Sequence, residues 1–263
     1  MDILVCIKNV PFMMENGIEI DSRGTDIIRE GLPYAVNEWD NYAVEEAIQI
    51  KERVGGTVTV VTVGSEKDDE ALRREMAMGA DKGVLISDSA FEKSDGKGIA
   101  TILEAEVNKG NYDLVLTGVQ ADDGAAQVGG MLAAMLGWPY ASIVNYVEVL
   151  DDRKIRIRRE IAGGNQEIYE IDLPCVLSIQ TGINDPRYVS IRGVKRASSL
   201  EIPVRNASDL GVSEDSAGES GSKVKRKNYF TPEIGEGAEM LEGSTNEIIE
   251  KLIGILKSNG GIR

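Results

Sequence analysis

Strand-like and helix-like segments alternate almost without a break over the first 140 residues, and few folds are open to a chain built that way. Residues 2–9 (DILVCIKN) form a short apolar run that stops before Pro11. Residues 37–56 (NEWDNYAVEEAIQIKERVGG) open on Asn37 as a helix cap and carry acids in the first turns. They line up Ala43, Ala47, Ile50 and Val54 on one face and stop at Gly55-Gly56. The run TVTVVTVG that follows is nearly all β-branched, too continuous for a strand with one wet face, so it reads as buried on both. The pattern then repeats. An acid-first helix opens at Ser65, turns Leu72 and Met76 inward and closes at Gly79, and GVLIS (83–87) is a strand. A helix over 94–108 faces Ile99, Ile102, Leu103 and Val107 to the core; YDLVLTG (112–118) is a buried strand, and a helix spans about 125–136. The prediction is an α/β domain with a mostly parallel, doubly wound sheet covered by helices on both faces.

After Trp138-Pro139 the texture changes. Segments 143–150, 154–160, 166–171 and 175–180 read as strands joined by Asp151-Asp152 and Gly163-Gly164 turns, extending the same sheet with antiparallel pairs. Residues 15–25 (ENGIEIDSRGT) read as a small hairpin. From 198 to about 242 periodicity fails among Gly, Ser, Asp and Glu, and a loop that long is usually functional or disordered. A last helix over 245–257 carries Ile248, Ile249, Leu252, Ile253 and Leu256, a stripe that needs either its own domain or a partner to pack against. The expected organisation is a nucleotide-binding α/β domain over 1–197 and an extended C-terminal arm over 198–263 ending in that helix.

Composition removes several classes of function. Histidine is absent, which excludes any mechanism that needs an imidazole base or ligand. A formal charge of −15 argues against nucleic acid as a partner. No apolar run approaches the roughly 18 residues of a membrane span, and MDILVCIKNV lacks a secretory pattern, so a cytoplasmic protein is the expectation. Cys6 and Cys175 sit in strand-like runs and read as buried small hydrophobes; no zinc or iron–sulfur spacing is present. KVKRK (223–227) reads as a solvated linker. Lys154, Arg156 and Arg158 share one strand face, which is either ion-paired with its neighbours or an interface for an acidic partner.

Open parallel sheets bind ligands beyond the carboxyl ends of their strands. Three such ends are unusual here: Lys8-Asn9-Val10-Pro11, Val63-Gly64-Ser65, and Thr117-Gly118 with the loop VQADDGAAQVGG (119–130) before a helix. That loop joins glycine freedom to a helix amino end, which lets backbone N–H groups approach a phosphate. It is neither a Walker loop nor a GxGxxG fingerprint. Asp122 and Asp123 would repel a phosphate, so they are assigned to turn capping or a ribose hydroxyl, with the phosphate nearer 124–128. The competing reading is an ordinary strand-to-helix connection. No catalytic constellation is present. Glu160, in RREIAGG, is the carboxylate that stands out; its plain role is to pair with Arg158 or Arg159.

In these stretches the chain resembles the β subunits of electron-transfer flavoproteins (the FixA family). The likeness rests on Ile7-Lys8, on Asn37 leading to AVEEA (43–47), on AMGAD (77–81) and on QADDGAAQVGG followed by GWP (137–139). It continues through Arg159 and Glu160 to Gly163-Gly164, Leu173-Pro174 and NDPRY (184–188), and covers nearly the whole chain in order. The resemblance implies an adenine-nucleotide α-hydrolase-like fold. It also implies a heterodimer with an α subunit that holds most of an FAD, and an AMP buried in the β subunit, or a second FAD in members that bifurcate electrons. Electrons would come from dehydrogenases such as acyl-CoA dehydrogenase and pass to a downstream oxidoreductase, so the chain is a carrier subunit rather than a catalyst by itself. A reading from another class is a stand-alone adenine-nucleotide-binding regulatory module.

Carried over position by position, the resemblance places nucleotide contacts at Cys6, Asn37, Glu38, Trp39, Asp40, Val63, Gly118, Val119, Gln120, Ala121, Asp122, Asp123, Gly124, Ala125, Ala126, Gln127 and Val128. Ile191 matches an apolar anchor for a partner dehydrogenase, within a loop holding Tyr188, Arg192 and Gly193, and Glu160 matches a glutamate that assists domain motion. The chain departs from the family's Asn-Pro-Phe turn at Asn37-Glu38-Trp39, has Ala125 and Ala126 where polar residues are common, and has Ala162 in place of an Asp before Gly-Gly. An adenine pocket of different shape and more reliance on backbone donors are therefore expected.

Overall fold

The computed structural model describes residues 1–12, 17–233, 235 and 237–262. Two compact units result: Met1–Glu19 with Ile28–Lys227, and Ile20–Ile27 with Asn228–Arg263. The first unit runs β1 (Asp2–Cys6), β2 (Asn9–Pro11), β3 (Tyr34–Val36), α1 (Glu38–Val54), β4 (Thr57–Val63), α2 (Asp69–Met78), β5 (Lys82–Ile86), α3 (Gly96–Val107), β6 (Leu114–Gly118) and α4 (Val128–Leu136). It continues through β7 (Tyr140–Val149), β8 (Lys154–Ile161), β9 (Asn165–Asp172), β10 (Cys175–Ile179), α5 (Ile191–Ser198), β11 (Val204–Arg205), α6 (Ala207–Leu210) and α7 (Gly218–Gly221). The second unit contains an Ile20–Ile27 bridge and α8 (Thr245–Ser258).

Nine strands form one sheet in the order β11-β5-β4-β1-β6-β10-β7-β8-β9, while β2 and β3 pair separately. Every pairing from β11 to β7 is parallel; β7-β8 and β8-β9 are antiparallel. Its central parallel strands are buried on both faces, as their continuous apolar runs require, while β9 is largely and β8 partly open to solvent. Along β1 and just beyond it, Ile3, Val5 and Ile7 enter one core with residues of α1 and α2, while Leu4 and Cys6 enter another with residues of α3 and α4. Leu114 and Leu116 of β6 lie opposite Val115 in the same way. Each fully buried Ile or Leu of this kind contributes about 1.5–3 kcal/mol.

The predicted α/β class and doubly wound parallel sheet hold, with local differences. Val54, placed on the buried face of α1, is 46% exposed because it ends the helix beside Gly55. The last predicted strand does not extend the antiparallel run. It becomes β10 and inserts parallel between β6 and β7. The stretch read as aperiodic after 198 supplies β11, hydrogen-bonded to β5 at the sheet edge, and α6, whose Leu210 packs in the second core. Of the predicted 15–25 hairpin, residues 15 and 16 lie outside the described residues; the bridge joins Ile20 to Ile27, around a turn centred further along. Arg156 sits between Glu148 and Glu170, at 3.0 and 3.1 Å, and Lys154 lies within 4 Å of Glu170 and Asp172, so this basic face is ion-paired with its own sheet. No helix among the described residues is long and apolar enough to cross a membrane.

Candidate functional site

The chain leaves β1 toward the α1 face and leaves β6 toward the α4 face, the arrangement of neighbouring strand ends at which open parallel sheets form a ligand crevice. Four side chains from the β1–α1 segment fasten it. Asp40 accepts the Lys8 N–H at 2.8 Å with one oxygen and the Gly118 N–H at 3.0 Å with the other, pinning the two strand ends together. Asn37 donates through Nδ2 to the Gln120 carbonyl at 2.8 Å, and its own N–H bonds to the Lys8 carbonyl at 2.8 Å. The Trp39 indole donates to Gln180 Oε1 beyond β10 at 3.2 Å. Lys8 Nζ crosses to Asp123 in the 119–127 loop as an ion pair.

Asn37 occupies the cap position of α1 as predicted, yet its Oδ1 accepts no cap bond from the helix, while its Nδ2 is turned to Gln120. Its Oδ1 is buried without a hydrogen-bond partner, and the residue is 1% exposed. An orphaned acceptor at that depth is costly and calls for a donor such as a nucleotide amino or hydroxyl group. Burial pushes the Asp40 carboxyl up to about 7 against the opposing pull of its bonds to Asn37 and to the Lys8 and Gly118 amides. Burial also raises the Cys6 thiol well above its ordinary range, with the charge of Asp40 adding to it, so Cys6 is a packed wall residue and not a nucleophile.

The glycine that matters for close approach is Gly118 rather than Gly124. A Cβ on Gly118 would collide with Asp40 Oδ1 and stand 2.6 Å from Trp39 Cβ, whereas one on Gly124 would meet Ala121 Cβ at an ordinary 3.4 Å. Left-handed backbone in the loop falls on Ala126, at φ 54°, a conformation that costs an alanine roughly 1–2 kcal/mol. Residues 122–127 are exposed, and α4 begins at Val128, later than the predicted 125. Beneath its first turn Gly129 lies against Ser178 and Thr117, whose hydroxyls are 2.8 Å apart, and Tyr140 OH reaches Ser178 Oγ at 3.0 Å. An orphaned amide oxygen, a glycine floor and a helix amino end are groups suited to a nucleotide. Cys6, Asn37, Glu38, Trp39, Asp40, Val63 and 118–128 all lie at these adjoining strand ends. Lys8 and Gln180 were missing from the predicted contacts. Lys8 carried a signal, as the cation at the carboxyl end of the first strand; its nearness to the acidic loop appears only in the fold.

Tyr188, Ile191, Arg192 and Gly193 lie elsewhere. Segment 188–197, expected as a loop, contains α5, capped by Ser190 Oγ accepting the Gly193 N–H at 3.0 Å. Gly193 is pressed so close to the Ala77 carbonyl that a Cβ would not fit, and Arg196 donates to the carbonyls of Met76 and Ala80. Just before Tyr188, Arg187 bonds both Glu52 and Glu45 of α1, and these carboxylates hold its guanidinium above the usual range. On this stiff mount Tyr188 is fully exposed and Ile191 is 90% exposed. Glu160 does not pair with Arg158 or Arg159 as the simple reading expected. It accepts from Asn145 Nδ2 at 2.9 Å, and Asn145 in turn accepts from Arg158.

Comparison with known proteins agrees with this architecture. A family model described as the electron transfer flavoprotein domain matches residues 25–210. The electron transfer flavoprotein subunit beta of Methylophilus methylotrophus is 38% identical over 99% of this chain and 100% of its own length. The caffeyl-CoA reductase-Etf complex subunit CarD of Acetobacterium woodii is 39% identical over 98% of each chain, and the protein FixA of Azotobacter vinelandii is 33% identical over 94% of this chain and 90% of its own.

Proposed function

Because the chain belongs to the electron transfer flavoprotein family, as a β-subunit or FixA-type member, we propose that it is the smaller half of a heterodimeric redox shuttle, with AMP in the β1–β6 crevice. Its larger α partner holds most of an FAD. The pair takes electrons from dehydrogenases of the acyl-CoA class and delivers them to a downstream oxidoreductase. The flavin, when bound, supplies the electron chemistry; protein groups supply binding, orientation and electrostatics. This chain's part is to bind the nucleotide with Asn37, Asp40, the Gly118 floor and the 119–128 loop, and to present docking surfaces. The orphaned Asn37 Oδ1 inside a fastened crevice is the observation that carries the nucleotide assignment.

Two exposed features support a protein partner. In α8, Ile249, Leu252, Ile253, Ile255 and Leu256 are each at least 38% exposed, an apolar run suited to a companion subunit. Ile191, framed by Arg192 and Ser190, suits brief docking of a dehydrogenase, where one apolar anchor dominates a small interface. Glu160, exposed and held by Asn145, is assigned to the surface past which the flavin-bearing part of the partner moves.

A second reading puts FAD in the same crevice in an electron-bifurcating assembly; the exposed rim at 122–127 favours it by leaving the phosphate side open for a dinucleotide. Nucleotide analysis of the co-purified heterodimer decides between the two. One FAD and one AMP are expected, two FAD without AMP select the second reading, and one FAD with no further nucleotide removes both. For docking, Ile191→Ala is expected to slow flavin reduction by the dehydrogenase about fivefold or more while FAD content stays the same. Unchanged stopped-flow kinetics would withdraw the anchor assignment.

A further inference from the structure

We propose that Lys8 is an exchangeable phosphate ligand, held by Asp123 while the crevice has no nucleotide and passed to the phosphate when one enters. This rests on the nucleotide reading above and adds to it the group that meets the charge. Cys6, Asn37–Asp40, Val63 and Gly118–Val128 include no Lys or Arg, but they include the carboxylates of Glu38, Asp40, Asp122 and Asp123. A phosphate there faces acidic neighbours and, without a cation from nearby, only backbone donors to offset them.

Lys8 is placed to supply that cation. Its backbone is fixed on both sides, by its N–H on Asp40 Oδ2 at 2.8 Å and by the Asn37 N–H on its carbonyl at 2.8 Å. Its side chain is 47% exposed and therefore has room to swing from that fixed hinge. Nζ already spans the crevice mouth to Asp123, whose own side chain is 34% exposed. A solvated pair of this kind holds weakly, so the exchange costs little, and a phosphate dianion is the stronger partner for an ammonium. Asp123 then plays two parts: it neutralises Lys8 in the nucleotide-free chain, and it competes with the phosphate for the same cation. Displaced, it turns away from the bound charge.

The test uses the full-length chain freed of nucleotide, with AMP, FAD and adenosine as calorimetric probes. Adenosine lacks the phosphate and reports the rest of the site. Lys8→Met is expected to weaken AMP about tenfold or more while adenosine stays within about twofold, the loss of one charge-assisted bond. Asp123→Asn is expected to tighten AMP and leave adenosine alone. Added salt is expected to weaken AMP binding to the parent chain more than to Lys8→Met. If the crevice takes FAD instead, the same ratios are expected with FAD. Equal AMP affinity in the parent and Lys8→Met overturns the proposal, and so does an equal loss of AMP and adenosine, which makes Lys8 a structural residue. A parent chain that binds none of the three probes overturns the nucleotide reading, and this proposal with it.

Discussion

Gly118→Ala is expected to lower the melting temperature by roughly 5–10 °C and to empty the crevice of nucleotide. The new Cβ has nowhere to go, since Asp40 Oδ1 and Trp39 Cβ occupy its place. Neither neighbour yields easily. Asp40 is buried with both oxygens committed to backbone N–H groups, and Trp39 Cβ moves only with the start of α1. Overpacking a fitted site costs about 1–3 kcal/mol, and here it also pulls Gly118 N–H off its acceptor, so the upper part of that range is expected. For a chain of this size about 2–4 °C of melting temperature follows each kcal/mol. Gly124→Ala is the control, because its Cβ meets only Ala121 at contact distance. If Gly118→Ala melts and binds as the parent does, Asp40 does not clamp the strand ends as described.

The second large effect is on the pH dependence of stability. Glu75 of α2 is fully buried; one oxygen bonds Arg74 and the other has no hydrogen-bond partner. Burial pushes its carboxyl up to about 7, opposed by the charge and hydrogen bond of Arg74. Asp40 reaches about the same value from an ordinary 3.8, again chiefly through burial. Through the window from the ordinary carboxylate range up to about 7, the folded chain keeps these protons and the unfolded chain releases them. Stability is therefore fully present at the acid end of the window and falls as pH rises, by up to ~1.4 kcal/mol per pH unit for each group, then levels off. Glu75→Gln removes one of the two protons, so its urea-unfolding free energy is expected to depend less steeply on pH between 5 and 7. At pH 8 the variant should exceed the parent by about 1–3 kcal/mol, since a neutral amide replaces a buried charge. Parallel curves for parent and variant would show that Glu75 is ionised throughout.

How much was legible beforehand follows from which interactions are local. TVTVVTV declared itself as β4 because a fully buried strand writes its environment into every residue. The strand ends after β1, β4 and β6 could be read beforehand because they follow from the alternation of elements alone. Other features depend on what a residue meets across space. That β10 lies between β6 and β7 is a matter of strand order, which no local pattern encodes. Helix α5 is only eight residues long with a glycine at its third position; Ile191, Val194 and Ala197 recur at helical spacing and Ser190 three residues before Gly193 is a cap cue, but only Ala197 of the three is buried. Asn37 was recognised as a helix start, but its bond to Gln120 is invisible until α1 and the β6 loop are brought together. Likewise Gly124 sits in the more glycine-like context, while the crowding that requires a glycine falls on Gly118.

The fasteners of the crevice also order events in time. Asp40 to Gly118 spans 78 residues, Asn37 to Gln120 spans 83, Lys8 to Asp123 spans 115 and Trp39 to Gln180 spans 141. None can close within a nascent helix or a single strand–helix unit, and contacts so distant in sequence are the slow ones to form. A chain emerging from the ribosome thus has none of these fasteners until β6 and the loop after it, to residue 123, lie beside β1, and it lacks the Trp39–Gln180 bond until β10 joins them. The site is in this sense assembled only with the middle of the sheet, and no single strand–helix unit carries it.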